Sequence, residues 1–173
     1  MPKFKDIPKL YRSYYRVAVS LDAIKETLDR YKENQEKFGY KFELNPIFQR
    51  GHVWTRKQQI KYIEWLLMDG ESGREIYFNH PDWMKGFKAD MVCVDGLQRL
   101  TACTEFLQDK IAAFGHYYSE YTDKIMLNGN NLYFNIGALS EKQCVEWYLQ
   151  MNFTGTPHSE KELKRVKEIF DNM

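Results

Sequence analysis

Apolar positions along the chain recur at two spacings, and each change of spacing marks the edge of an element. The run Met91 to Val94 predicts a short buried strand, after which Leu100, Cys103, Phe106 and Leu107 share one helical face and carry a helix to about Asp109. Upstream, Tyr15 to Val19 predicts a strand, with Ser20 placed to cap a helix whose face is Leu21, Ile24, Leu28 and Tyr31. Thr55 with Gln58 forms a capping box for a helix presenting Ile60, Ile63, Leu66 and Leu67 and stopped by Gly70. Arg74 to Asn79 and Leu132 to Ile136 predict two further strands. A second capping box, Ser140 with Gln143, opens a helix carrying Val145, Trp147, Tyr148 and Met151. Ser159 with Glu162 opens a last one carrying Leu163, Val166, Ile169 and Phe170.

The remaining segments are less regular. Residues 42–54 have no helical period and Pro46 disfavours helix at Asn45, so an extended loop is expected there. Ile111 to Phe114 suits either a strand or the close of the preceding helix, and 115–131 is polar, tyrosine-rich and without a readable period. The expected fold class is α/β (α+β): one domain over residues 1–173, with several short strands and about five helices, preceded by an arm at 1–15.

Composition narrows the function classes. Lys plus Arg number 25 and Asp plus Glu 24, so a net charge of +1 gives no general attraction to nucleic acid or to an anionic membrane. Contact with DNA would need a local patch, for which the arm's Lys3, Lys5, Lys9 and Arg12, interleaved with Phe4, Tyr11, Tyr14 and Tyr15, is one candidate; packing of those rings on the body is the other reading. No apolar stretch has the length of a membrane helix and the N-terminus lacks a signal-peptide pattern, which leads to an expectation of a soluble, cytoplasmic protein with no membrane partner. Cys93, Cys103 and Cys144 are odd in number and set among apolar residues, as buried thiols are. The four histidines show no paired ligand spacing for a transition metal.

Candidate chemistry gathers at the Asp95-Gly96 turn, where a carboxylate, an amide and a guanidinium (Asp95, Gln98, Arg99) meet the opening amides of a helix. Such a junction suits an anion; alternatively Asp95 merely caps the helix while Gln98 and Arg99 lie in solvent. Gln49 and Arg50 lie in the extended loop just before another helix. Asn152, Thr154, Gly155 and Thr156 concentrate an amide, hydroxyls and a glycine between two helices, a set that can surround a phosphate or serve as helix stop and cap. No Gly-x-x-x-x-Gly-Lys-Ser/Thr loop occurs, which excludes an ordinary P-loop enzyme.

Three segments in order, Pro46-Ile47-Phe48-Gln49-Arg50-Gly51-His52-Val53-Trp54, Val94-Asp95-Gly96-Leu97-Gln98-Arg99-Leu100-Thr101 and Asn152-Phe153-Thr154-Gly155-Thr156-Pro157, resemble the N-terminal domain of GmrSD-type modification-dependent restriction proteins. That family is similar to the ParB/sulfiredoxin fold, which implies a small mixed sheet surrounded by helices. The likeness runs from about Val17 to Leu163. The family usually reads Asp-Gly-Gln-Gln-Arg where this chain has Leu97, and leucine where it has His158. The resemblance implies a pocket for an NTP in which the turn of Asp95, Gly96, Gln98 and Arg99 engages phosphates and supports hydrolysis. Phosphoryl transfer usually also takes Mg²⁺, for which two roles stay open at Asp95, holding the metal through a bound water or fixing an arginine, while Gln98 is the candidate to orient the attacking water. Gln49, Arg50, Gly96, Arg99, Thr101, Asn152, Thr154, Gly155 and Thr156 would line the pocket around the phosphates. Leu97 removes one amide, which favours binding over efficient hydrolysis. Family members that cut DNA carry a separate C-terminal nuclease domain of the His-Asn-His kind, so cleavage of that kind is not expected of these 173 residues.

Three functions compete on this reading. The leading one is a stand-alone nucleotide-binding domain, a weak NTPase that regulates a partner, such as a nuclease or host defence protein, in bacterial or phage DNA metabolism or defence. The second is a ParB-like DNA-binding protein or metal-dependent nuclease. The third is a non-catalytic phage protein that binds a host defence complex.

Overall fold

A computed structural model describes residues 2–3, 6–49, 51, 53–86, 88–152 and 160–172. Five strands form one mixed sheet: β1 (Tyr15–Ser20), β2 (Phe42–Glu43), β3 (Glu75–Asn79), β4 (Met91–Asp95) and β5 (Asn131–Gly137), in the order β1-β5-β3-β4-β2. β1 runs antiparallel to β5 and β3 antiparallel to β4, whereas β3 with β5 and β2 with β4 are parallel. The helices are α1 (Ile24–Phe38), α2 (Arg56–Leu67), α3 (Leu97–Leu107), α4 (Glu141–Asn152) and α5 (Glu160–Asp171). The expected mixed α/β architecture is therefore what the chain adopts.

Side chains alternate across the pleat and divide the interior in two. Ile76 and Phe78 of β3, Met91 and Cys93 of β4, and Leu132, Phe134 and Ile136 of β5 join the larger core, against Ile24 and Leu28 of α1, Ile63 and Leu66 of α2 and Leu100, Cys103 and Phe106 of α3. Tyr77, Val92 and Val94 face the other way, onto Cys144, Val145, Trp147 and Tyr148 of α4 and Val166 of α5. All three cysteines are free and buried, in agreement with the apolar settings of their sequence positions.

Local signals worked with exceptions. Both capping boxes form: Gln58 N–H donates to the Thr55 hydroxyl and Thr55 N–H to the Gln58 amide oxygen, and the Ser140–Gln143 pair repeats the exchange. Ser20 does not cap a helix. The chain first makes a 3₁₀ turn at Leu21–Ala23, and the Ser20 hydroxyl donates instead to the Asp22 carboxylate at 2.6 Å. Gly70 is not the left-handed stop of α2, since Asp69 takes that conformation at φ 60°. Residues 111–114 form neither strand nor helix, only an isolated bridge from Ala113 to His116, and 115–131 contains 3₁₀ turns at Tyr118–Glu120 and Lys124–Gly129. The N-terminal segment is tied to the body: Tyr11 donates its hydroxyl to Glu146 at 2.9 Å and its N–H to Gln150 at 3.3 Å, and Tyr14 N–H donates to the Ile136 carbonyl at 2.7 Å. Ser159, which was expected to cap α5, lies outside the described residues.

Candidate functional site

β4 ends at Asp95, one glycine follows, and α3 begins, so the carboxyl end of an inner strand feeds a helix N-terminus directly. In open α/β sheets this is where ligands settle, because the helix amides and the ends of the strands share one crevice. The junction can be this short only through Gly96. Its φ is 114°, and a Cβ placed there would lie 2.6 Å from Ile76 Cδ1 and 3.0 Å from Ile76 Cγ2. Gly96 is also the N-cap of α3, and no side chain caps that helix. Asp95 does not act as the cap considered above.

Asp95 instead pairs with Arg99, one helical turn on, at 2.5 Å. The two partners differ in setting: the Arg99 side chain is 17% exposed and that of Asp95 41%. Burial works against the guanidinium's charge, but the Asp95 carboxylate beside it, together with Tyr62 and Cys93, more than offsets that, and the Arg99 pKa lies above its ordinary value. A permanent cation is thus held beside an uncapped helix start.

Both face a cleft of about 420 Å³, lined among others by Gln49, Trp54, Trp65, Asp95, Arg99 and Asn152. Its walls are braced from behind, where Glu105 of α3 accepts hydrogen bonds from Arg56 at 2.5 Å and Gln59 at 2.7 Å of α2. The structure brings Gln49, Asp95, Gly96, Gln98, Arg99 and Asn152 together around this space. Thr101 is not among the lining residues; its hydroxyl donates to the Leu97 carbonyl at 2.8 Å, back along its own helix. Arg50, Thr154, Gly155 and Thr156 lie outside the described residues.

Several side chains have work that their sequence positions did not reveal. The Gln98 amide oxygen accepts from the N–H groups of Val53 (2.9 Å) and Trp54 (3.0 Å), and its nitrogen donates to the Gly51 carbonyl (3.1 Å), so it clamps the loop before α2. That is a different task from orienting a water. Gln49 is buried and donates its amide to the Cys93 carbonyl, anchoring the same loop to β4. Asn152 donates to the Tyr148 carbonyl at 2.7 Å, ending α4 at the cleft edge. Arg165 of α5 donates to the backbone carbonyls of Ile47 (2.6 Å), Phe48 (3.5 Å) and Gln49 (3.0 Å). Sequence reading missed Arg165 altogether, because an arginine on an amphipathic helix carries no sign of a partner more than a hundred residues away. It also missed the aromatic wall of Tyr62, Trp65 and Tyr148. The one available hint was Trp65, a tryptophan at a position outside the buried stripe of α2.

Fold and site together define a mixed α/β domain with a polar cleft at a strand-to-helix junction. A sequence model of the GmrSD restriction endonuclease N-terminal domain matches residues 24–173. The chain belongs to that family, which associates it with restriction and defence. The matched region starts at α1, after β1, and reaches the last residue, a shift toward the C-terminus from the span of the resemblance. No curated protein and no solved structure matches the chain.

Proposed function

We propose that the cleft binds a nucleoside triphosphate, with its phosphates against Arg99 and the first turn of α3, and that the domain is a nucleotide sensor with slow hydrolysis, regulating a partner in restriction or defence. The observation that carries this reading is the meeting of a charged, largely buried guanidinium with an uncapped helix start on one cleft. Backbone amides and a fixed cation are what a polyphosphate needs from a protein, since its charge is spread over equivalent oxygens.

The same geometry favours binding over turnover. Hydrolysis needs a water held in line with the phosphoryl group. Position 97 is an apolar leucine, and the Gln98 oxygen is taken by two backbone amides. Gln98 is then a positioning residue, which holds the loop carrying Trp54 against the cleft.

A Mg²⁺ ion fits here only as a companion of the phosphates. Asp95 is the single carboxylate among the cleft's described lining residues, and no group of three or more His, Cys, Asp or Glu residues able to hold a metal occurs among the described residues. Mg²⁺ is commonly held by one or two carboxylates together with phosphate oxygens, and Asp95 would be that carboxylate. When bound, the ion would neutralise phosphate charge.

Calorimetric titration of the four common NTPs with Mg²⁺ into wild type and Arg99→Ala, with phosphate release followed in the same samples, tests the reading. The expected outcome is binding to wild type, at least tenfold weaker binding to the variant, because a charge-assisted contact contributes about 1.5–3 kcal/mol, and little phosphate release. Equal binding by both proteins, or none by wild type, would remove the proposal.

A further inference from the structure

Trp65 lies in the wall of the cleft that also contains Asp95 and Arg99, yet its side chain serves no core: the residue is 43% exposed on the solvent side of α2. An exposed indole at the rim of a polar cleft costs solvation unless something covers it. Its surroundings hold it in one pose. The indole N–H donates to the Ser72 carbonyl at 3.2 Å, and Gly70 packs on the ring. A Cβ at Gly70 would fall 2.1 Å from Trp65 Cε2 and 2.4 Å from both Cδ2 and Nε1, so the glycine sits over one face of the pyrrole ring. This is the physical reason for glycine at position 70, where the φ of the chain does not demand it. With one face closed by backbone and the ring edge tethered, the other face is what remains to meet a ligand.

We propose that Trp65 is the base-stacking residue of the cleft, receiving the flat face of the nucleobase of a nucleotide whose phosphates occupy the Arg99 end. This rests on the nucleotide reading above and adds to it the recognition of the base. Stacking on a preset indole needs little side-chain ordering, and it tolerates any base, because every base has a π face. Trp54, in edge contact with Tyr62 at 5.4 Å, closes the wall beside it. The cleft volume of about 420 Å³ lies within the range of small-molecule sites, about 300–1,000 Å³.

The test compares an NTP with inorganic tripolyphosphate, both with Mg²⁺, on wild type, Trp65→Ala and Trp65→Phe, with melting curves to verify folding. Wild type is expected to bind the NTP more tightly than tripolyphosphate. Trp65→Ala should lose about tenfold in NTP affinity with tripolyphosphate affinity unchanged, and Trp65→Phe should recover most of the loss. If wild type binds both ligands and Trp65→Ala retains full NTP affinity, the stacking role is wrong and the phosphate site stands. If wild type binds neither, the nucleotide reading fails and this inference fails with it.

Discussion

Gly96 shows how much one missing side chain can determine. Its left-handed φ and its approach to Ile76 are independent constraints, and any L-residue would violate both. Gly96→Ala should cost about 2–4 kcal/mol, the sum of backbone strain and a steric conflict inside the core. The two parts can be separated. Ile76→Val removes the Cδ1 atom nearest the added methyl, so in a double-mutant cycle by denaturant unfolding the pair should be less destabilised than the two single costs predict. Strict additivity would show that the contact with the Ile76 Cδ1 atom contributes nothing. The Asp-Gly pair was visible in the sequence as a turn, but its partner Ile76 was not, because β3 meets the turn only after the sheet has formed.

At the scale of elements, the cleft is assembled by loops that other elements hold in place. Gln98 at the start of α3 accepts the N–H groups of both Val53 and Trp54. Gln98→Ala should therefore speed hydrogen exchange at those two amides by an order of magnitude or more, while the amides of β3 and β5 keep their protection. Unchanged exchange at Val53 and Trp54 would show that the loop is held by something else. The strands and helices themselves were largely legible from periodicity, and the two capping boxes were read correctly, because a box needs only residues three apart. Ser20 misled because a hydroxyl at a strand end can find a neighbouring carboxylate as readily as a helix amide. Gly70 misled because a glycine after a helix is ordinarily a stop, and here it makes room for a ring.

For the molecule as a whole, the two-sided core sets the pH range of stability. Burial pushes the thiols of Cys93, Cys103 and Cys144 up to about 12 from an ordinary 9.0, and the Tyr31 hydroxyl up to about 12 from 10.0. Above pH 9 the unfolded chain gives up these protons while the folded one keeps them, so stability falls as pH rises from about 9 toward 12. Burial lowers the His80 pKa below its ordinary 6.5. Below pH 6.5 the unfolded chain takes that proton first, and stability falls on the acid side as well. Melting temperatures measured from pH 5 to 10.5 should form a plateau at about pH 7–8.5 with losses on both sides; a rise continuing past pH 9 would contradict the buried thiols. By itself the sequence determined the fold class, the order of the helices and of four of the five strands, the burial of the cysteines and the family, since each depends on spacing along the chain or on a contiguous motif; the two-residue β2, within the segment expected as an extended loop, is too short to show a period. Tertiary structure alone decided that Gln98 holds a loop, that Arg165 reaches three carbonyls of the first motif and that Trp65 stands over the cleft. Those are relations between distant segments, and only the packing of helices on both faces of one sheet brings them within hydrogen-bonding or van der Waals reach.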